Sequence, residues 1–324
     1  RCPGCTESFS GKMDEIRIYS SALDANQVAQ LYTSTSLMVT VTPNNTITLS
    51  SAAGTNAQTK CINTAITNIT YATTTATGAT VSGLPTGVTG SWASNTVTIS
   101  GIPSVAGTYT YTVTMTGGCT GGTNTATGTI TVIPQPTASA GGNQTICVGG
   151  TATVSGASSS NGTILWTHNG AGTLTNVTTL SPTYTSVAGD AGHTVTLTMT
   201  VTNSPCTAAS ATYSVVVVAD PSISSQPAGA TICSGGTHTM SVAAANGTGT
   251  YTYQWQSNTT SCSGTWANVS GGSGATTASY TTPALTGTTY YRCLVGASGV
   301  GCTTLASNCA TVTVVADPSL SAAT

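Results

Sequence analysis

Val215-Val-Val-Val-Ala-Asp-Pro221, followed by Ser-Ile-Ser-Ser-Gln-Pro227, is the stretch from which the rest of the chain can be read. The same phrase returns as Val312-Thr-Val-Val-Ala-Asp-Pro318, and a looser copy stands at Ile130-Thr-Val-Ile-Pro-Gln-Pro136. Each is a β-branched run, suited to a half-buried pleated surface. Each ends where proline fixes φ and removes a ladder donor. Val132 and Val218 are 86 residues apart, and Val218 and Val315 are 97 apart. One β-sandwich domain takes about 100 residues, so the joints divide the chain into beads.

Composition fixes the class. Charged residues make up 4% of the 324, against about 25% in ordinary globular proteins. Thr, Ser, Gly and Ala fill the space, and with a net charge of −2 and many β-branched residues the chain does not meet the criteria for disorder. The expected class is all-β. Five Lys and Arg cannot build a basic patch for nucleic acid or anionic lipid, and no apolar run reaches the ~18 residues of a membrane span. Neither nucleic-acid binding nor membrane insertion is expected.

Residues 1–35 differ from the rest. Phe9 to Tyr19 alternates like a strand, and Asp24 with Gln27 reads as a capping box opening a short helix. Gly11-Lys-Met-Asp-Glu-Ile-Arg-Ile-Tyr19, then Ala22-Leu23 and Val28-Ala-Gln-Leu-Tyr32, resembles the last strand and closing helix of a laminin-G/concanavalin-like jelly roll. Residues 36–133 form the next bead. Its Gly83-Leu-Pro-Thr-Gly-Val88, Ser100-Gly-Ile-Pro-Ser-Val-Ala-Gly-Thr108 and alternating Thr108–Thr116 resemble the cadherin-like Ig repeats of bacterial surface proteins. Residues 134–219 carry Trp166 on a strand-like run and the alternating Thr194–Thr202, and resemble PKD-like repeats. Residues 220–316 repeat the opening Thr-Ile-Cys-x-Gly-Gly-Thr (145–151 and 231–237) and place Trp255 as Trp166. Tyr291 lies two residues before Cys293, as in the tyrosine corner of immunoglobulin domains. Residues 317–324 read as the start of a further repeat. The expected architecture is tandem immunoglobulin-like and PKD-like β-sandwiches after the end of a jelly roll.

Eleven cysteines in a Thr/Ser-rich chain indicate an oxidising compartment, since they are too scattered for a zinc cluster. Cys61 and Cys119 are alone in their bead, as are Cys147 and Cys206 in theirs, and the simplest pairing joins each couple. In the third bead, alignment with the second pairs Cys233 with Cys302. Symmetry about residue 301 suits Cys293 with Cys309, leaving Cys262 unpaired or intermolecular. An alternative joins Cys262 to Cys293 and frees Cys309, and spacing alone leaves both open. Cys2 and Cys5 read as a local bond or as partners of upstream cysteines.

Chemistry has few residues to stand on. No Asp or Glu occurs between Ala25 and Gly189, which rules out paired-carboxylate hydrolysis there. Asp220 and Asp317 stand in Asp-Pro turns. His168, His193 and His238 have no Cys or acid at ligand spacing, and the serines lack a base and orienter. No catalytic, cofactor-binding or metal-binding residue is expected, and no cofactor. The combination of repeat types is similar to the giant adhesins of Bacteroidota exported by type IX secretion, some of them gliding-motility filaments. That resemblance implies a non-catalytic stalk segment on the bacterial cell surface. It also implies a surface or glycan ligand outside the segment, contact with secretion and anchoring machinery, and self-association if the chain polymerises. The alternatives are a filament subunit or the accessory repeats of a secreted hydrolase.

Overall fold

The computed structural model describes residues 21–33, 43–118 and 124–316. The strand expected over 9–19 lies outside them. Helix α1, Ala25–Thr33, opens on the capping box read from the sequence. Asp24 Oδ1 accepts from the amides of Asn26 (2.9 Å) and Gln27 (2.8 Å), and Gln27 Oε1 accepts from the Asp24 amide (3.0 Å). Apart from one 3-10 turn at Ala188–Asp190, every other described element is a strand.

The first sandwich runs β1 (Thr46–Leu49), β2 (Ala57–Cys61), β3 (Ile69–Thr74), β4 (Gly78–Ser82), β5 (Val88–Ala93), β6 (Thr96–Gly101), β7 (Gly107–Thr116) and β8 (Thr125–Ile133). Its sheets are ordered β1-β3-β6-β5 and β2-β8-β7-β4. The alternation read in β7 is the core face, since Tyr111, Val113 and Met115 are buried. The hydroxyls of Tyr71 on β3 and Tyr111 on β7 meet at 2.9 Å and tie the two sheets together inside the core. Burial, then that bond, pushes the Tyr111 hydroxyl well above the tyrosine range.

The second sandwich contains β9 (Thr137–Ser139), β10 (Asn143–Cys147), β11 (Thr151–Thr153), β12 (Ser158–Ser160), β13 (Thr163–His168), β14 (Thr173–Thr175), β15 (Thr183–Thr185), β16 (His193–Thr202) and β17 (Ala209–Val218). Its main sheet is β10-β17-β16-β13, facing β11-β15-β14 and the β12-β9 pair. The third runs β18 (Ser222–Ser225), β19 (Ala230–Cys233), β20 (Thr239–Ser241), β21 (Ala243–Ala245), β22 (Tyr251–Asn258), β23 (Ala267–Asn268), β24 (Ser279–Thr281), β25 (Thr289–Ala297), β26 (Leu305–Ala306) and β27 (Ala310–Val315). Its main sheet is β19-β27-β25-β22-β23.

One blueprint therefore recurs three times: a short early strand lies parallel to the last strand, which is followed by its antiparallel neighbour and then the next strand across. This is immunoglobulin-like sandwich topology. Each sandwich closes its own apolar cluster, with Trp166 (2% exposed) and Trp255 (0%) at the centres of the second and third. The outward threonines pair across strands, as Thr153–Thr183 at 3.0 Å, Thr163–Thr202 at 3.0 Å and Thr239–Thr281 at 2.9 Å. Such pairs stabilise a sheet face without charge, which is how a chain with 4% charged residues covers its strands.

Candidate functional site at the domain poles

The parallel strand decides where the cysteines go. Cys61 ends β2 opposite Ile133, Cys147 ends β10 opposite Val218, and Cys233 ends β19 opposite Val315. The following amide closes the same bond each time: Ile62 N to Ile133 O (2.9 Å), Val148 N to Val218 O (3.2 Å) and Ser234 N to Val315 O (3.0 Å). So each of these cysteines sits at the pole where its sandwich hands over to the next. Cys206 lies before β17, and Cys302 lies between β25 and β26. Each of those is at the opposite pole, facing the preceding sandwich.

The disulfides follow that placement. Cys61 bonds Cys206, with 4.9 Å between Cα atoms, and Cys147 bonds Cys302, also at 4.9 Å. Both bonds cross from one sandwich to the next, which corrects the expected pairings of Cys61 with Cys119, Cys147 with Cys206 and Cys233 with Cys302. The reason is reach. Cys147 is level with Val218 at one end of β17, and Cys206 precedes Ala209 at the other. A strand of ten residues is about 33 Å long, whereas a disulfide spans at most ~7 Å between Cα atoms. Cys119 lies outside the described residues.

In the third sandwich Cys262, expected to be unpaired, bonds Cys309 (Cα–Cα 5.7 Å). Neither the Cys293–Cys309 pairing nor the Cys262–Cys293 alternative forms. The hairpin is the cause: β25 and β27 pair as Tyr291↔Ala310, one residue out of the register that would face Cys293 to Cys309. A one-residue slip turns a side chain to the other face. Cys293 points into the core, pairs in register with Trp255 where Met199 pairs with Trp166, and stays a thiol. Burial pushes that thiol up to about 11. It packs as a small apolar residue. Cys233, expected to be bonded, is an exposed thiol.

Around the bonds the joints are fitted by polar contacts. At the first, Asn203 Nδ2 donates to Pro134 O (3.2 Å) and Asn161 Nδ2 to Gln135 O (3.0 Å). At the second, the Cys147 amide donates to Val300 O (2.8 Å) and the Gly247 amide to Ala219 O (2.9 Å). Two glycines let the backbones meet there: a Cβ on Gly150 would lie 2.7 Å from the Val300 oxygen, and one on Gly301 would run into the Gly150 backbone. Asp220 accepts a long contact from the Thr303 amide (3.4 Å) beside its Asp-Pro turn.

The other titratable residues are absorbed by the fold. His193 Nδ1 is 3.0 Å from Ala191 O, and His238 Nε2 is 3.1 Å from Ala228 O. His168 packs against Tyr184 at 5.2 Å between ring centroids. No group of three or more His, Cys, Asp or Glu gathers among the described residues. An open cavity of about 280 Å3 lies beside Asp190, lined also by Asn169, Gly170, Ala171 and His193. Sequence reasoning passed over Asp190, although it is an isolated acid in a long uncharged stretch. It is 2% exposed and accepts from the amides of Ala171 (2.7 Å) and Val187 (3.0 Å) and from the Tyr184 hydroxyl (2.8 Å). Burial alone would raise this carboxyl, but those hydrogen bonds outweigh it and hold it below the usual carboxylate range. Burial, then the bond to Asp190, pushes the Tyr184 hydroxyl up to about 12.

Asp190 is thus a clasp inside one sandwich. Asp190→Ala is expected to cost about 3 kcal/mol, because it leaves the buried Tyr184 hydroxyl and the part-buried amides of Ala171 and Val187 without their acceptor. A carboxyl with a lowered folded pKa contributes stability that is present above its unfolded pKa and lost as pH falls through the folded value. Acid titration of wild type and variant, followed by tryptophan fluorescence, should therefore show the gap between them closing below the ordinary carboxylate range. A gap that persists unchanged in strong acid would remove the charge from this account.

Residues 223–316, the third sandwich, match a family described as a domain of unknown function, DUF8696. No curated protein matches the chain. Among solved structures, the chain is similar to the titin domains I67–I69, at 9% identity and a TM-score of 0.47, covering 86% of this chain and 100% of that one. It is also similar to Drosophila OTK extracellular domains 3–5, at 15% identity and a TM-score of 0.30, covering 81% and 94%. A third match is Sidekick-1 immunoglobulin domains 1–5, at 10% identity and a TM-score of 0.37, covering 84% and 59%. The chain is an all-β series of immunoglobulin-like sandwiches, and its described disulfides include two that join one sandwich to the next.

Proposed function

We propose that this chain is a non-catalytic spacer segment of an extracellular stalk, whose domains are latched pole to pole against bending and pulling. The observation that carries the reading is the placement of Cys61–Cys206 and Cys147–Cys302 across consecutive joints. A disulfide inside a sandwich stabilises that sandwich. A disulfide across a joint fixes its angle to the next, which matters only if geometry over distance is the task. Disulfides persist in oxidising surroundings outside the cytosol, and no described helix is long and apolar enough to cross a membrane. The finer reading, a bacterial cell-surface adhesin or gliding filament whose surface or glycan ligand is bound elsewhere, rests on the sequence resemblance.

Small-angle scattering of the chain with and without a thiol reductant tests the latch. Oxidised protein should give one narrow end-to-end distribution. Reduction, with all three sandwiches still folded by circular dichroism, should broaden it as the joints become short flexible linkers. Identical curves in the two states would end this reading.

A further inference from the structure

The third sandwich repeats the latch of the second down to its backbone. In the second, Cys147-Val-Gly-Gly150 turns with Gly149 at φ +79 and the Gly150 amide donating to Cys147 O at 3.0 Å. In the third, Cys233-Ser-Gly-Gly236 turns with Gly235 at φ +84 and the Gly236 amide donating to Cys233 O at 2.9 Å. Positive φ of this size suits glycine. The two sites differ in what covers them. The Gly299–Cys302 turn of the third sandwich sits on the first site, where Ile146, Cys147 and Gly150 are all buried. At the second site Ile232 and Gly236 are only partly covered and Cys233 is exposed. Val315, opposite Cys233, is 43% exposed. Cys61 and Cys147, the two cysteines at this ladder position in the first and second sandwiches, are both bonded to the sandwich that follows.

We infer that Cys233 and its Gly235-Gly236 turn are a covalent docking site for a further sandwich of the same kind. That sandwich would present a cysteine in the turn before its last strands, as Cys206 and Cys302 do. The inference rests on the pole-to-pole latch proposed above. The Cys233 thiol and the incoming thiol become one disulfide with loss of two protons and two electrons. A small-molecule disulfide takes up the electrons by thiol–disulfide exchange and leaves as two thiols. The arriving turn covers Gly236 and Ile232, and Cys233 passes from exposed to buried.

The test uses this chain extended by a second copy of residues 220–316 placed directly after Ala316. The joint stays native, because Ala219-Asp-Pro and Ala316-Asp-Pro are the same phrase. Peptide mapping without reduction is expected to find Cys233 bonded to the appended copy of Cys302. Maleimide labelling of Cys233 in undenatured protein should fall at least tenfold relative to the unextended chain. The appended copy's own bond equivalent to Cys262–Cys309 reports that it has folded. With that bond present, a Cys233 still labelling at the unextended rate overturns the inference. So does a Cys233–Cys233 dimer as the main product. Absence of Cys61–Cys206 and Cys147–Cys302 in the same map would instead overturn the latch on which the inference rests.

Discussion

Pulled end to end until every sandwich unfolds, the oxidised chain is expected to stop far short of its reduced length. From Cys61 to Cys302 the backbone runs 241 residues, about 840 Å when fully extended at ~3.5 Å per residue. The two cross-joint bonds overlap along the chain: one closes Cys61 to Cys206 and the other Cys147 to Cys302. The shortest covalent route from Cys61 crosses to Cys206, runs back to Cys147, and crosses to Cys302. That route contains 59 residues of backbone, about 210 Å by the same measure. Single-molecule force extension should therefore show this region shortened roughly fourfold, with the hidden length released when reductant is added. Bonds confined within single sandwiches would hide their own loops separately and leave every joint in the loaded path. A full-length extension under oxidising conditions would contradict the connectivity outright. The same overlap ties the unfolded ensemble, since closing a loop of 145 or 155 residues stabilises by about 5 kcal/mol in the chain-entropy picture.

Trp255→Ala should lower the unfolding free energy of the third sandwich by about 4 kcal/mol, a large share of the ~5–15 kcal/mol a domain holds. Trp255 is fully buried, lies 5.8 Å from the Tyr280 ring, and donates its indole N–H to Thr277 O at 2.9 Å. Tyr280 in turn meets Tyr291 at 5.9 Å. Truncation opens a cavity in the middle of this cluster and leaves the Thr277 carbonyl unpaired. Trp255→Phe keeps most of the apolar volume and loses the hydrogen bond, and is expected to cost about 2 kcal/mol. Guanidinium titration of both variants, each with the three described disulfides intact, measures the difference. A loss below about 1 kcal/mol for the alanine variant would show that the core is centred elsewhere. Trp166 makes the same bond to Thr179 O (2.9 Å) in the second sandwich, so the parallel substitution there checks the shared blueprint.

Much of the fold was legible because period and punctuation are local. Thr108–Thr116 and Thr194–Thr202 alternate, and the structure buries the expected faces of β7 and β16. Asp24 and Gln27 sit three residues apart, and their reciprocal bonds form as the spacing implies. Trp166 and Trp255 lie in β-branched or aromatic runs, and both are core. The cysteines were legible as a set but not as pairs. Assigning one couple to each bead assumed that residues close in sequence are close in space. In the second sandwich Cys147 and Cys206 stand at opposite ends of β17, a strand about 33 Å long. A hint was present, since Cys147 and Cys233 lie the same 15 residues past Val132 and Val218. That regularity marks a position relative to a joint, and joints are where neighbours meet. The Cys293–Cys309 symmetry failed on a single residue of register, which no spacing rule reports.

What the sequence determined by itself was the class, the repeat and the redox setting. These follow from additive properties: how many charges there are, how often β-branched residues alternate, where proline stops a strand. What only the tertiary structure decided was which thiol faces which, and hence that the joints rather than the sandwiches carry the described cross-domain bonds. Pairing depends on the parallel register of β2, β10 and β19 against their last strands, and on the direction in which each following sandwich docks. The register is set between residues 71 to 82 apart in the chain and the cross-joint bonds form between residues 145 and 155 apart, separations over which spacing in the sequence does not report which thiol meets which.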